Sequence, residues 1–302
     1  MQSSATLSIG LPVALCIIML GLGLSLKLED FVRVLARPWP VLVGLFCQVV
    51  VLPVLCFVLV YFSNLPPAIC VGMMLLAASP GGTSATLFTH LAGGNVALSI
   101  SLTAVSSLLS IVTLPIIANL SLLAFYGEDG AVRLQLHQVL QIFAIAIVPA
   151  LIGAFIHRRF PVFAERLEKP VKLLASFFLA TVVLVALIGQ WRLLVEWGPT
   201  VGVLALAFSV ASISVGFWVP RVLNIERREA VALSMSIGLH NAALVIALAM
   251  SEHMLNNSEM AIPPAAYGLI SYIVGGLFVW WLNRTRQPLS TARAATVDQA
   301  SR

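Results

Sequence analysis

The sequence predicts an all-α integral membrane protein with nine transmembrane helices, two of which are broken. Hydrophobic residues make up 60% of the 302 residues, and charged residues make up only 10%, against roughly 25% in soluble domains. No Asp, Glu, Lys or Arg lies between Arg37 and Glu128, a stretch long enough for about four helical crossings. Two polar segments interrupt apolar runs, S-P-G-G-T-S-A at 79–85 and S-I-G-L-H-N-A at 236–242.

Charges, prolines and turn residues divide the chain into nine apolar spans. Their approximate limits are 6–26, 39–62, 66–92, 95–123, 136–156, 171–190, 198–220, 229–255 and 262–282. The third and eighth spans contain the two polar breaks. If spans one to four correspond to spans six to nine, the breaks match each other with reversed direction in the membrane. This relation between the two halves is typical of an inverted repeat.

The basic residues predict the orientation. With the N-terminus outside, 15 of the 17 lysine and arginine residues fall in cytoplasmic segments, and only Arg133 and Arg192 do not. We therefore expect a multi-pass protein of the cell membrane with a cytoplasmic C-terminus. Residues 284–302 lack apolar periodicity, and we predict that they are disordered. The net charge of +5 is explained by this distribution, so we predict the lipid bilayer and no nucleic acid as a partner.

The first break has the composition of a helix interrupted inside the membrane. Pro80 ends the preceding half-helix, while Gly81 and Gly82 permit backbone geometries that other residues avoid. The half-helix that follows would direct free N–H groups toward the bilayer centre, where an anion is stabilised. Three hydroxyl groups lie at this point, on Thr83, Ser84 and Thr86. The alternative is a proline kink filled by neighbouring helices.

The second break supplies flexibility and polar groups. Gly238 provides the flexibility, and Ser236, His240 and Asn241 provide hydrogen-bonding side chains. An ionisable residue inside a membrane span is a candidate functional residue, and the ordinary pKa of histidine lies near physiological pH. The alternative for His240 is a neutral imidazole that only bonds another helix.

Backbone that is unwound at membrane depth is tolerated only against protein or a polar cavity. A matched pair of breaks therefore indicates the binding site of a secondary transporter. Further polar candidates are Gln48 in the second span and a row of hydroxyl residues in the fourth. Small hydroxyl residues at helical spacing usually serve helix packing. Within this row, Ser99 and Thr103 are candidate ion ligands. No acidic residue lies in the middle of any span, so a bound sodium ion would need neutral oxygen ligands.

Several stretches resemble the bile acid:sodium symporter family. L-P-V-A-L-C-I-I-M-L-G-L-G-L-S-L at 11–26 looks like a family stretch that ends in M-x-x-x-G-L-x-L, and Gln48 with Pro53 looks like its Q-x-x-x-x-P span. P-G-G-T at 80–83, followed by L-A-G-G-N-V-A-L-S-I-S-L-T at 91–103, is similar to its most specific signature. The resemblance covers about residues 7–283.

The resemblance implies a core domain with two crossing broken helices, a panel domain beside it, and alternating access by movement of one against the other. The membrane domain would cover 1–283, with the panel at about 6–26 and 136–190 and the core at about 39–123 and 198–282. Thr83 and Asn241 would fall on substrate-contacting positions, with Ser84 and His240 beside them. Gln48, Ser99 and Thr103 would fall on sodium-ligand positions.

Four positions depart from the family pattern. Ala85 and Thr86 stand where the family has Ser-Asn, Ser236 stands where it has the glutamate shared by two sodium sites, and His240 stands where it has glutamine. The predicted function is transport of a small or amphipathic organic anion that is bile-acid-like, pantoate-like or keto-acid-like. Three alternatives stay open. Transport is coupled to sodium, it is proton-linked or uncoupled and uses His240, or the protein is a non-transporting receptor on the same fold.

The sequence predicts neither an enzyme nor a cofactor. The motifs H-E-x-x-H, G-x-G-D and G-x-S-G are absent from the spans, and Ser236 precedes the nearest histidine without an acid to orient it. The four cysteines show neither metal nor redox spacing. A sodium ion or a proton is the expected coupling ion, and no other metal is predicted.

Overall fold

A computed structural model describes residues 38–82, 84–127, 191–251 and 255–285, together with separate helical pieces between residues 16 and 24 and between residues 148 and 177. All regular structure in these residues is helical. The predicted spans 136–156 and 171–190 lie largely outside the described residues, as does the predicted tail from residue 286 onward. The division into core and panel therefore stays a prediction.

The first half of the described fold is a long helix, a broken helix and a second long helix. Helix α1 (Pro38–Phe46) continues through a π-helical turn (Cys47–Val51) into α2 (Leu52–Tyr61). The broken helix consists of α3 (Pro67–Ala78) and α4 (Ala85–Leu91), and α5 (Val96–Tyr126) follows. Proline explains two of these boundaries, because Pro67 begins α3 and Pro80 follows its end.

The second half repeats this order. Helix α6 (Trp191–Val222) precedes a broken helix made of α7 (Arg227–Gly238) and α8 (Ala242–Met250). A short 3₁₀ turn (Glu259–Ala261) then leads into α9 (Ile262–Arg284). Each broken helix follows a connection that contains an asparagine with positive φ, Asn64 at 53° and Asn224 at 59°.

Within the described residues, four continuous helical segments are long and apolar enough to cross a membrane, and they span Pro38–Tyr61, Val96–Tyr126, Val195–Val222 and Glu259–Arg284. They overlap predicted spans two, four, seven and nine. The prediction placed the start of the seventh span at 198, whereas α6 begins at Trp191. Pro199 does not end the helix, because membrane helices tolerate a proline whose freed backbone groups are satisfied locally.

The first halves of the two broken helices, α3 and α7, lie at the centre of the fold. Eleven of the twelve residues of α3 are buried, from Ala68 to Ala78, and ten of the twelve residues of α7 are buried, from Glu229 to Gly238. The long helices instead expose apolar side chains, such as Leu42 at 58% and Val203 at 66%. An apolar outer face around a buried centre is the arrangement that a bilayer favours, so this is a multi-pass membrane protein.

Candidate functional site

The two breaks cross each other and are joined through their backbones. Gly81 lies opposite His240 in an isolated antiparallel bridge. The N–H of Gly82 donates to the carbonyl of Leu239 at 2.5 Å, and the N–H of Asn241 donates to the carbonyl of Pro80 at 2.9 Å. These bonds satisfy backbone groups that would otherwise be unpaired inside the membrane.

Glycine is required at the crossing for space. A Cβ atom on Gly81 would lie 2.6 Å from the carbonyl oxygen of Ser236, and a Cβ on Gly82 would lie 3.1 Å from the carbonyl oxygens of Leu239 and His240. Gly238 packs against Ile213 of α6 in the same way. From the sequence, Gly81 and Gly82 were expected to provide backbone geometries that other residues avoid, and this expectation was wrong. The described glycines with positive φ are Gly93 and Gly127, and the breaks instead need close approach of two backbones.

A cluster of hydroxyl groups joins α4, α5 and α7 beside the crossing. The hydroxyl oxygens of Ser99 and Ser236 lie 2.8 Å apart, and Thr89 donates to the Ser99 hydroxyl at 3.2 Å. All three side chains are buried. Thr103 lies nearby, because its Oγ1 would be 3.3 Å from a Cβ on Gly81. This Oγ1 is buried and has no hydrogen-bond partner among the described residues.

Gln48 reaches the first break from the π-helical turn. Its Nε2 donates to the carbonyl of Ser79 at 3.2 Å, while its Oε1 is buried without a partner in the described part of the chain. The backbone explains its position. The N–H of Leu52 donates to the carbonyl of Cys47, which is the spacing of a π-helical turn, and Pro53 follows with no N–H to continue the ladder.

His240, in the second break, lies between two aromatic rings. Its imidazole stacks on Phe208 of α6, with ring centroids 5.3 Å apart and an angle of 10° between the planes. Tyr267 of α9 packs 5.5 Å from the imidazole and donates its hydroxyl to the carbonyl of Gly238 at 2.7 Å. His240 is 6% exposed, and neither ring nitrogen has a hydrogen-bond partner among the described residues.

The remaining candidates from the sequence lie at the ends of the half-helices. Asn241 is the N-cap of α8, and its side-chain oxygen accepts from the N–H of Leu244 at 3.1 Å. Ser84 is at the N-cap position of α4, with Thr86 in its first turn. Helix α4 has only seven residues, and the N–H of Ala85 already donates to the carbonyl of Gly82. Thr83 lies outside the described residues.

Sequence reasoning missed three residues that shape the site. Thr89 extends the hydroxyl cluster, and Phe208 and Tyr267 enclose His240. Threonine and aromatic residues are common in membrane helices, so the sequence offered no signal that distinguished these three. No group of three His, Cys, Asp or Glu side chains that could hold a metal ion occurs in the described residues.

Comparison with known proteins identifies the family. The model of the sodium bile acid symporter family matches residues 12–197, more than half of the chain. A rice (Oryza sativa subsp. japonica) protein named "Probable sodium/metabolite cotransporter BASS2, chloroplastic" is 30% identical over 276 residues, which cover 90% of this chain and 64% of that protein. This chain therefore spans slightly less than two thirds of the rice protein.

Two further relatives are similar over most of their own length. "Uncharacterized sodium-dependent transporter YocS" of Bacillus subtilis (strain 168) is 24% identical over 292 residues, 95% of this chain and 87% of that protein. The human ileal sodium/bile acid cotransporter is 25% identical over 258 residues, 84% of this chain and 73% of that protein. These relatives are transporters, which confirms the prediction that the chain is not an enzyme. The chain belongs to the sodium bile acid symporter family.

Proposed function

We propose that this chain is a secondary carrier that moves a small or amphipathic organic anion across the cell membrane by alternating access. The observation that carries the proposal is the crossing of two unwound segments in the buried centre of the fold, joined by Gly82 N–H to Leu239 and by Asn241 N–H to Pro80. Interrupted helices in a membrane cost backbone hydrogen bonds, and transporters use such interruptions to form substrate and ion sites.

An inverted repeat within nine spans is part of the proposal. Leu239 lies 159 residues after Pro80, and Asn241 lies 159 residues after Gly82. If each residue is replaced by its counterpart, either hydrogen bond of the crossing becomes the other one. The connections before the broken helices also agree, since Pro66 and Glu226 have nearly the same backbone angles, −53° and 141° against −55° and 145°. These relations support a two-fold pseudo-symmetry between the halves.

The substrate's anionic or polar end is proposed to bind at the crossing. Asn241 and His240 come from the second break, and Thr83 and Ser84 come from the first. The amide of Asn241 uses its oxygen to cap α8, so its N–H₂ group is the part that would contact a substrate. The candidate substrates are bile-acid-like, pantoate-like or keto-acid-like anions. The relatives' names, which mention bile acids and metabolites, support this class.

The residues at the crossing do not fit the two sodium sites that the family implies. No acidic residue occurs in 79–85 or 236–242, and the hydroxyls of Ser99 and Ser236 bond each other instead of facing an empty position. Among the described residues, the buried oxygens without a hydrogen-bond partner include Oε1 of Gln48 and Oγ1 of Thr103, and both are neutral. We therefore propose transport that depends weakly on sodium or is independent of it, although the relatives' names describe sodium-dependent proteins.

A proton-linked or uncoupled carrier that uses His240 is the second candidate. The observation that favours it is an imidazole buried between Phe208 and Tyr267 with neither nitrogen hydrogen-bonded to a described residue. Buried polar groups without a partner are rare in native proteins, and they occur where a site exchanges a proton, a water molecule or a ligand. This candidate and the sodium-independent carrier share the same substrate site.

Two experiments test the proposal. Thermal unfolding of the purified protein is measured with taurocholate, pantoate and pyruvate, with and without sodium, because a ligand that binds the native state raises its apparent stability. Uptake of each stabilising anion into proteoliposomes is then measured with a sodium gradient alone and with a proton gradient alone. Stabilisation with saturable uptake supports the carrier. Stabilisation without uptake in either gradient or in counterflow would contradict transport and favour a receptor.

A further inference from the structure

An aromatic cluster joins the C-terminal ends of α6 and α9. Phe217 packs edge-on against Phe278 and Trp281, with centroid separations of 5.5 and 6.2 Å, and Phe278 stacks on Trp281 at 5.6 Å. Trp218 and Trp280 border this cluster and are 58% and 53% exposed. Exposed tryptophan at the end of a membrane helix marks the level of the lipid headgroups. We call these five residues, whose exposed surface is formed by Trp218, Trp280 and Trp281, the aromatic groove.

Three arginines lie at the end of the aromatic groove. The guanidinium of Arg284 is 4.2 Å from the centroid of the Trp280 ring. Arg227 donates to the hydroxyl of Thr285 at 3.2 Å, and Arg221, one helical turn beyond Phe217, donates to the carbonyl of Ile225 at 3.2 Å. All three arginines are exposed. A guanidinium has five N–H donors, so each arginine keeps donors for a ligand.

The local charge is strongly positive. The exposed side chains of residues 217–228 and 278–285 include four arginines, one of which is Arg228, and a single acidic residue, Glu226. Glu229 is buried at 4% exposure and already interacts with another residue. The predicted orientation places this end on the cytoplasmic side, where anionic lipids create a negative surface potential.

We propose that the aromatic groove with Arg221, Arg227 and Arg284 binds an anionic phospholipid. The arginines would hold the phosphate through charge-assisted hydrogen bonds, and an acyl chain would lie on the aromatic groove. A soluble anion would use the arginines alone. A zwitterionic lipid would use the groove but would gain less from the charge. This site uses none of the residues proposed to bind the transported anion, so it does not depend on the proposed transport function.

The test compares binding of two lipids by the purified full-length chain. Native mass spectrometry and thermal unfolding in mixed micelles are measured with phosphatidylglycerol, with phosphatidylcholine and with inorganic phosphate. We expect phosphatidylglycerol to bind and to raise the unfolding midpoint more than phosphatidylcholine does, with no effect of inorganic phosphate at equal concentration. Each arginine near an anionic lipid contributes about fivefold in affinity, so R221Q/R227Q/R284Q should weaken phosphatidylglycerol binding by roughly a hundredfold.

A matched triple variant controls for the loss of three charges. R158Q/R159Q/R166Q removes three exposed arginines on the same predicted side of the membrane, and it should bind phosphatidylglycerol like the unmodified chain. If the first triple variant does not fold, the single variants R227Q and R284Q should each weaken binding about fivefold. Equal losses in both triple variants would overturn the site in favour of general attraction. Full competition by inorganic phosphate would overturn the lipid in favour of a soluble anion.

Discussion

Substitution of Gly81 by alanine tests whether close backbone approach maintains the crossing. The added Cβ would lie 2.6 Å from the carbonyl oxygen of Ser236, whereas ordinary contact begins at 3.4 Å, so the breaks must separate by about 0.8 Å. Neither atom can rotate away, because a Cβ is fixed by its own backbone and the Ser236 oxygen is part of the backbone. Overpacking of this kind costs about 1–3 kcal/mol. Loss of the bond from Gly82 to Leu239 or from Asn241 to Pro80 would add roughly 1 kcal/mol.

The measurement is the thermal unfolding midpoint of Gly81→Ala in detergent, followed by anion uptake into proteoliposomes. Gly276→Ala is the matched control, because a Cβ on Gly276 in α9 meets nothing within 4 Å. We expect the control to be neutral or stabilised by about 0.5–1 kcal/mol. Gly81→Ala should unfold several degrees lower and lose most uptake. Equal midpoints for the two variants, with uptake intact, would refute the argument that the crossing is sterically closed.

The remaining predictions concern the substrate, the coupling ion and the topology. Asn241→Ser keeps an oxygen that can cap α8 but removes the amide N–H₂, so anion affinity in a thermal-shift titration should fall by about 1–3 kcal/mol at an unchanged unfolding midpoint; unchanged affinity would place the substrate elsewhere. The double substitution Ser236→Glu with His240→Gln should increase sodium stimulation of proteoliposome uptake, and strong saturable stimulation of the unmodified protein would contradict our view of its ion site. His240→Gln alone should remove a pH dependence of uptake if a proton is coupled, and an unchanged pH profile would exclude that role. Tags at Gln2 and Arg302 should label from opposite sides of the membrane, and labelling from one side would contradict nine spans.

The sequence was informative about the elements because membrane helices depend on apolar length and on proline and glycine. The predicted span 262–282 corresponds to α9 at Ile262–Arg284, and both breaks were recognised from polar residues within apolar runs. In lipid these local features are strongly constrained. The start of α6 at Trp191 was missed, because a proline that ends a helix in water does not have to end one in a membrane.

The contacts within the site could not be predicted in the same way. Ser99 and Ser236 were each candidates, but their separation of 2.8 Å depends on how two segments far apart in the chain pack together. Asn241 was assigned to substrate binding from the resemblance, whereas its oxygen also caps α8. The aromatic surroundings of His240 come from α6 and α9, and no local pattern around His240 indicates them.

The crossing is held by main-chain atoms, so its stability does not depend on the chemistry of the side chains beside it. The bonds between Gly82 and Leu239 and between Asn241 and Pro80 use N–H and carbonyl groups that every non-proline residue supplies. Side chains beside the crossing, such as those of Ser236 and His240, can therefore be replaced while the crossing remains. Under the proposed function, a change of coupling ion would need only point mutations beside the crossing and no new scaffold.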